Sequence, residues 1–232
     1  MVLRKWRDLA PAYGLHASML PDYSGGATLV WAMINGELKI GITLFQMDEG
    51  VDSGPIAGQR VEPVYLHGTI ATLYARIEDR GLDLLKEVLP RLATGTLKLQ
   101  AQDESRRRIF PQRALEDGWI SWDQSAVFID RLIRAQTRPY PGAYTSLRGR
   151  PLHSWRASIV SEVDIIAPGG QLMRQERERH LVARGNGAIE LKEISYGQHT
   201  YGENQLSRLF RGAGRCWASR RPACGAPILV SQ

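Results

Sequence analysis

Residues 39–63 read KIGITLFQMDEGVDSGPIAGQRVEP, and this stretch decides how the first part of the chain folds. Its beginning, KIGITLFQM, is rich in β-branched and aromatic residues with a rough alternation, a pattern that predicts a strand. The acidic loop DEGVDSGP follows, and IAGQRVEPV then predicts a second strand that ends near Pro63. We therefore expect two neighbouring strands joined by a short acidic loop.

Helical patterns lie on both sides of these strands. ATLVWAMING, residues 27–36, places its apolar residues on one helical face, and Gly36 is a suitable stop. The strongest helical periodicity runs from Thr69, the expected N-cap, to Leu89. Pro90 should end or kink that helix.

The later part of the chain changes in character. WISWDQSAVFIDRLIRA predicts one more amphipathic helix, capped by Asp123 or Ser125, which ends before the prolines of TRPYPGAY. A linker is expected at residues 147–151. Beyond it, short apolar alternations such as LHSWRASIV, HLVARG and AIELKEI predict several short strands, which is typical of a small antiparallel barrel.

Basic residues are unevenly distributed in this chain of net charge +6. Up to Tyr144 there are 17 Lys and Arg residues and 17 Asp and Glu residues, whereas from Thr145 onward there are 13 and 7. A neutral body with a basic final part suits a polyanionic partner, RNA first, and the alternative is a basic surface that serves solubility alone. No apolar run approaches the roughly 20 residues that would cross a bilayer. The two late cysteines have no further metal-binding residues near them, so we expect no metal site and a reducing, cytoplasmic location.

Two polar residues are candidates for chemistry. His16 lies in the turn-rich stretch GLHASMLPDYSGG, and Asp52 lies in the acidic loop after the first strand. Because ligands gather where the strands of an open α/β sheet end, these side chains are expected on neighbouring loops. An imidazole oriented by a carboxylate suits acyl transfer to an amine, since it can bind the oxygen that becomes negative or move the amine's proton. On spacing alone, a structural role for both residues stays open.

Several ordered blocks extend this hypothesis. HASMLPDYSGG, WAMINGE and GITLFQMDEGVDSGPI resemble the core of the 10-formyltetrahydrofolate-dependent formyltransferases. That family includes methionyl-tRNA formyltransferase, sugar-amine N-formyltransferases and glycinamide ribonucleotide transformylase. Farther along, GWISWDQSAVFIDRLIRAQTRPYPGAYTSL and PGGQLMRQERERHLVARGNGAIELKEISY look like the regions that follow the catalytic core in methionyl-tRNA formyltransferase.

The resemblance runs from about Tyr13 to about Gly212 and implies an α/β protein with two domains. Residues 1–146 would form a partial Rossmann-like formyltransferase domain with a following helical region, and residues 152–214 a small antiparallel, OB-like β-barrel. Residues 215–232 would be a disordered tail. The family's domain normally begins well upstream with further central strands, so we expect the amino-terminal part of the catalytic domain to be missing from this chain.

The same resemblance assigns roles to individual residues. It implies that His16 and Asp52 are the catalytic histidine and aspartate. It also implies that 10-formyltetrahydrofolate is the co-substrate and that it is contacted by the run SMLP, which consists of Ser18, Met19, Leu20 and Pro21. Most members have an asparagine two residues before the histidine, where its amide helps to bind the developing oxyanion. This chain has Gly14 at that position, so another donor has to serve.

Three functions remain open at this point. The first is formylation of the amino group of methionyl-tRNA, with the basic carboxy-terminal domain against tRNA phosphates. The second is N-formylation of a nucleotide-linked amino sugar, which the absence of the asparagine leaves open. The third is a truncated, non-catalytic remnant that binds RNA, because a chain without half of its sheet is expected to show little formyl transfer. The arginine run at residues 106–108 is a candidate for holding an acidic substrate, with a solvated loop as the alternative.

Overall fold

The computed structural model describes residues 7–160, 169–174, 179–183 and 187–211. Its backbone contacts divide the chain into two compact units, Met1–Arg113 and Ala114–Gln232. This division precedes the last predicted helix, and the domain boundary expected between residues 146 and 152 stays a prediction. Over the described ranges, no helix is both long and apolar enough to cross a membrane.

The described residues of the first unit include two α-helices, a three-stranded antiparallel sheet of order β1-β3-β4, and a short parallel pair of β2 with β5. Its elements in chain order are β1 (Tyr13–His16), β2 (Ser24–Gly25), α1 (Thr28–Asn35), β3 (Lys39–Gln46), β4 (Ile56–Pro63), α2 (Ile70–Ala93) and β5 (Ile109–Phe110). The two strands and two helices predicted from residues 27–89 are therefore confirmed. The described residues of this unit do not form the parallel sheet of a Rossmann-like domain, because β1 pairs antiparallel with β3.

The strand β3 is buried along nearly its whole length, unlike a strand with one face in water. The helix α2 packs across β3 and β4, and two glycines permit its close approach. A Cβ atom on Gly58 would lie 2.8 Å from Leu84 Cδ1, and one on Gly81 would lie 2.9 Å from Ile42 Cδ1. The core of this unit therefore depends on small residues on both the helix and the sheet.

The start of α2 matches the sequence prediction, and the helix continues beyond Pro90. Thr69 caps the helix as expected, because its side chain accepts a hydrogen bond from the Thr72 amide. Pro90 does not end the helix, which continues to Ala93. A proline so close to the helix end removes one amide donor from the last turns, and the Pro90 carbonyl still accepts a hydrogen bond from Thr94.

The second unit is an antiparallel sheet covered by a helix. Its strand order is β6-β7-β10-β9-β8, and β11 also pairs with β10. Its elements are α3 (Ala126–Gln136), β6 (Ala143–Leu147), β7 (Arg150–Val160), β8 (Leu172–Arg174), β9 (His180–Ala183), β10 (Ala188–Tyr196), β11 (His199–Gly202) and α4 (Leu206–Phe210). Of the two caps considered for α3, Ser125 is the one used, since its side chain accepts a hydrogen bond from the Phe128 amide.

One expectation for the second unit is wrong, and another is not confirmed. The predicted linker at 147–151 is a β-hairpin, in which Arg148 and Gly149 form the turn between β6 and β7. Both residues have positive φ, 52° and 75°, and this conformation matches the twist of a tight hairpin. The described strands form an antiparallel sheet whose path ends at β6 and β8, and the OB-like barrel is not confirmed. The expected tail at 215–232 lies outside the described residues.

Candidate active site

His16 is the last residue of β1 and stands opposite Thr43 of β3. Its Nε2 atom lies 2.8 Å from the carbonyl oxygen of Tyr23, and its Nδ1 atom lies 3.5 Å from Asp52 Oδ2. A carbonyl oxygen can only accept a hydrogen bond, so the Tyr23 contact assigns a proton to Nε2. The structure thus brings together the two residues that the sequence proposed as a pair.

Asp52 reaches His16 from the loop between β3 and β4. Its backbone has a positive φ of 54°, which is unusual for a residue with a side chain. Its Oδ2 atom also accepts a hydrogen bond of 2.9 Å from the amide of Gly25. The carboxylate therefore lies between a ring nitrogen and a backbone amide, which come from two different segments. The His16 and Asp52 side chains are 13% and 21% exposed, so a ligand can still reach the pair.

Tyr23 fixes the other side of the imidazole, although only its carbonyl touches the ring. Its own ring stacks on Phe110 with centroids 4.2 Å apart. Its hydroxyl donates to Glu37 over 2.8 Å and accepts from Asn35 over 3.0 Å. Burial, opposed by the Asn35 hydrogen bond and assisted by Glu37, raises the pKa of Tyr23 to about 12. The neutral phenol thus anchors a residue that also has positive φ, 55°.

Two residues of the arginine run, Arg107 and Arg108, contact the segments that form this site. Arg108 forms two hydrogen bonds with Asp22, of 2.6 and 2.7 Å, and its guanidinium lies 4.9 Å from the centre of the Tyr23 ring. The hydrogen bond with Asp22 is the main cause that raises the pKa of Arg108. Arg107 donates to the carbonyl of Val51, the residue before Asp52. Two of the three arginines therefore bind the protein's own loops, and the third, Arg106, is exposed.

Known protein families match both units. The model described as "Formyl transferase" matches residues 6–89, and "Formyl transferase, C-terminal domain" matches residues 114–207. Methionyl-tRNA formyltransferase of Solibacter usitatus is 38% identical over 189 residues, which are 81% of this chain. The chain belongs to the formyl transferase family. It spans 60% of the length of that relative.

Solved structures of other proteins share the fold of this formyl transferase family member. HypX from Aquifex aeolicus, solved in complex with tetrahydrofolic acid, has a TM-score of 0.69 at 19% identity, over 89% of this chain and 36% of HypX. Methionyl-tRNA formyltransferase from Clostridium thermocellum has a TM-score of 0.58 at 25% identity, over 70% of each chain. The N-formyltransferase from Helicobacter canadensis, solved with folinic acid and dTDP-3-aminofucose, has a TM-score of 0.59 at 22% identity, over 77% of this chain and 65% of that enzyme.

The segment that the family resemblance linked to folate is largely internal. Ser18, Leu20 and Pro21 are buried, and Met19 is partly exposed. The Thr43 hydroxyl donates to the Ser18 carbonyl and accepts from the Leu20 amide. Contact of this segment with folate therefore stays a prediction, and Met19 offers its most accessible side chain.

Gly14 occupies the position where most family members have an asparagine. A Cβ atom there would lie only 2.5 Å from Met47 Cε and 3.3 Å from Phe45 Cε1. The space beside the Gly14 backbone is thus filled by the end of the flexible Met47 side chain. Restoring the asparagine would require Met47 to move.

Sequence reasoning missed three residues that surround the pair. The Tyr23 contact to His16 is made by a backbone carbonyl, which leaves no signal in the residue type. Gln102 and Arg107 hold the Asp52 loop from about fifty residues downstream, and only the unusual arginine run pointed to that region. Among the residues that the structure describes, no cluster of three or more His, Cys, Asp or Glu side chains could hold a metal ion.

Proposed function

We propose that this protein transfers a formyl group from 10-formyltetrahydrofolate to a primary amine, and that the amine is the amino group of methionyl-tRNA. The observation that carries the proposal is the placement of the His16 imidazole between Asp52 and the Tyr23 carbonyl. Membership of the formyl transferase family supports the reaction class. The 38% identity to a methionyl-tRNA formyltransferase supports the acceptor.

The geometry suits the chemistry of this transfer. The amine nitrogen attacks the formyl carbon, the bond from that carbon to N10 of the folate breaks, and one proton passes from the amine to N10. Both ring nitrogens of His16 have partners in this structure, Nε2 at the Tyr23 carbonyl and Nδ1 at Asp52. The ring therefore moves that proton, or donates a hydrogen bond to the formyl oxygen as it becomes negative, after Nε2 exchanges the Tyr23 carbonyl for the substrate. Asp52 lies on the Nδ1 side of the ring and orients it. Gly14 contributes no side chain, so the donors that remain are His16 and backbone amides.

The second unit is proposed to bind the tRNA. Three of its exposed cations, Arg148, Arg150 and Arg156, lie on the β6–β7 hairpin. Other cations are already engaged within the unit, such as Arg179 with Glu190. Contacts between exposed arginines and phosphates release counterions, so binding should weaken steeply as salt rises.

The test compares formyl transfer to two acceptors by the wild-type protein and by matched variants. We expect labelled formyl groups to pass from 10-formyltetrahydrofolate to methionyl-tRNA and not to a nucleotide-linked amino sugar. His16→Gln and Asp52→Asn should each lower kcat by about 10²- to 10⁴-fold. His67→Gln and Glu49→Gln make the same chemical changes at exposed positions and should leave kcat unchanged.

Each other outcome overturns a defined part of the proposal. Transfer to the amino sugar alone would replace the acceptor. Near-wild-type kcat in either site variant would remove the assigned role of that residue. Salt-sensitive tRNA binding by a wild-type protein that transfers no formyl group to either amine would favour the RNA-binding remnant.

A further inference from the structure

The loop that carries Asp52 is held from outside by two side chains. We propose that Gln102 and Arg107 are positioning residues that keep the Asp52 carboxylate against His16. The catalytic part of this proposal rests on the proposed function. The hold of Gln102 and Arg107 on the Asp52 loop, called the clamp below, is a structural claim that can be tested separately. Neither residue lies within hydrogen-bonding distance of His16, so each would act through Asp52.

Gln102 binds two carbonyl groups of the loop, that of Asp52 and that of Gly54 just after it. Its Nε2 atom donates to the carbonyl of Asp52 over 2.8 Å and to the carbonyl of Gly54 over 2.7 Å. These two acceptors fix the orientation of the amide, because only the nitrogen end can face them. Its Oε1 atom is buried and has no hydrogen-bond partner among the described residues. The amide nitrogen of Gln102 therefore binds the loop, while its amide oxygen is buried without a hydrogen bond to the described residues.

Arg107 joins this loop to the segment that faces it. Its Nη1 atom donates to the Val51 carbonyl over 2.8 Å and lies 3.4 Å from Ser24 Oγ. Val51 precedes Asp52, and Ser24 precedes Gly25, whose amide donates to the Asp52 carboxylate. The Arg107 guanidinium thus contacts the neighbours of both residues that share the hydrogen bond from the Gly25 amide to the Asp52 carboxylate.

The guanidinium is itself held in place and remains charged. Glu104 accepts from Nε over 2.6 Å and from Nη2 over 2.7 Å, and only 12% of the Arg107 side chain is exposed. The hydrogen bond with Glu104 is the main cause that raises the pKa of Arg107. A bidentate pair of this kind fixes orientation as well as charge.

The clamp matters because Asp52 has the unfavourable positive φ described above. A residue with a side chain keeps that conformation only when its surroundings determine it. Without Gln102 or Arg107, the loop can relax and carry the carboxylate away from the imidazole. A displacement of about 1 Å in a catalytic group can lower the rate about 10²-fold.

The kinetic test uses Gln102→Leu and Arg107→Met, with Arg106→Met as the matched control because Arg106 is an exposed neighbour of equal charge. We expect kcat for formyl transfer to fall about 10- to 100-fold in both variants, while KM for the formyl donor changes by less than about twofold. Arg107→Lys keeps the positive charge but loses the bidentate guanidinium geometry, and it should have an intermediate kcat. Added guanidinium should partly restore kcat to Arg107→Ala.

A second measurement separates failure of the clamp from failure of the proposed function. Amide hydrogen exchange at Gly25 and over residues 50–55 should accelerate at least tenfold in Gln102→Leu and Arg107→Met, but not in Arg106→Met. Unchanged exchange, or a rise in KM with constant kcat, would overturn the clamp. Accelerated exchange in a protein whose wild type transfers no formyl group would leave the clamp intact and overturn the function instead.

Discussion

Replacing Thr43 by valine should loosen the segment that connects His16 to the rest of the first unit. The Thr43 hydroxyl is fully buried and makes three hydrogen bonds. It donates to the Ser18 carbonyl over 2.7 Å, and it accepts from the Leu20 amide over 3.2 Å and from Gln59 Nε2 over 2.8 Å. Valine has nearly the same shape, so this change removes the hydroxyl without opening a cavity.

The expected loss follows from the groups left behind. Ser18 and Leu20 are 0% and 3% exposed, so their backbone carbonyl and amide would lose a partner with little access to water. A buried polar group without its hydrogen bond costs about 1–3 kcal/mol. Gln59 is less affected because its Nε2 atom also donates to the Leu20 carbonyl. We therefore expect Thr43→Val to lower the free energy of unfolding of the first unit by about 2–4 kcal/mol.

Thr43→Ser is the matched control because it keeps the hydroxyl and loses only a methyl group, worth about 1 kcal/mol. Urea unfolding monitored by amide exchange of peptides from each unit gives the free energy of each unit separately. The second unit should be unchanged in both variants. If Thr43→Val were as stable as Thr43→Ser, the hydroxyl would not be holding the segment, and this account of the site's support would be wrong.

Two further changes test other parts of the structure. Gly14→Ala should cost about 1–2 kcal/mol of stability because its Cβ would meet Met47 Cε at 2.5 Å, and in a Met47→Ala background most of that cost should disappear in urea unfolding. Burial lowers the pKa of His153 from its ordinary value of 6.5, so below about pH 6.5 the unfolded chain takes up a proton that the folded chain does not. The second unit should therefore lose stability as pH falls from about 7.5 to 5.5, and thermal melting of His153→Phe should show a smaller loss over that interval.

Local sequence patterns predicted the helices and strands that are specified by residues within the element itself. The strands at 39–46 and 56–63 and the helix after Thr69 follow from alternation, periodicity and capping. The hairpin at Arg148 and Gly149 was missed because an arginine with positive φ gives no turn signal in the sequence. The apolar pattern had been attributed to a barrel, but closure depends on strand register, and single-strand patterns do not encode register.

The residues of the candidate site also fall into two groups, those that the sequence predicted and those that it did not. His16 and Asp52 were identified by residue type and by family resemblance, because imidazole and carboxylate have chemistry that can be named in advance. Gln102 lies 50 and 48 positions from the carbonyl groups that it binds, and Arg107 lies 56 positions from the Val51 carbonyl. Both bind backbone carbonyls, which every residue carries, so the identity of their partners was not predictable from the sequence.

The backbone conformation around His16 gives a physical reason for so many supports. Tyr23, Ala27 and Asp52 all have positive φ, between 51° and 55°, at a cost of about 1 kcal/mol or more for each residue. Tyr23 supplies the carbonyl for the imidazole, and Asp52 supplies the carboxylate, so two of the three strained residues are the two partners of His16. Each is held by side chains that do not touch the imidazole, and removal of those side chains would let the backbone relax. The strain therefore explains why the orientation of one histidine depends on residues as distant in sequence as Arg107 and Arg108.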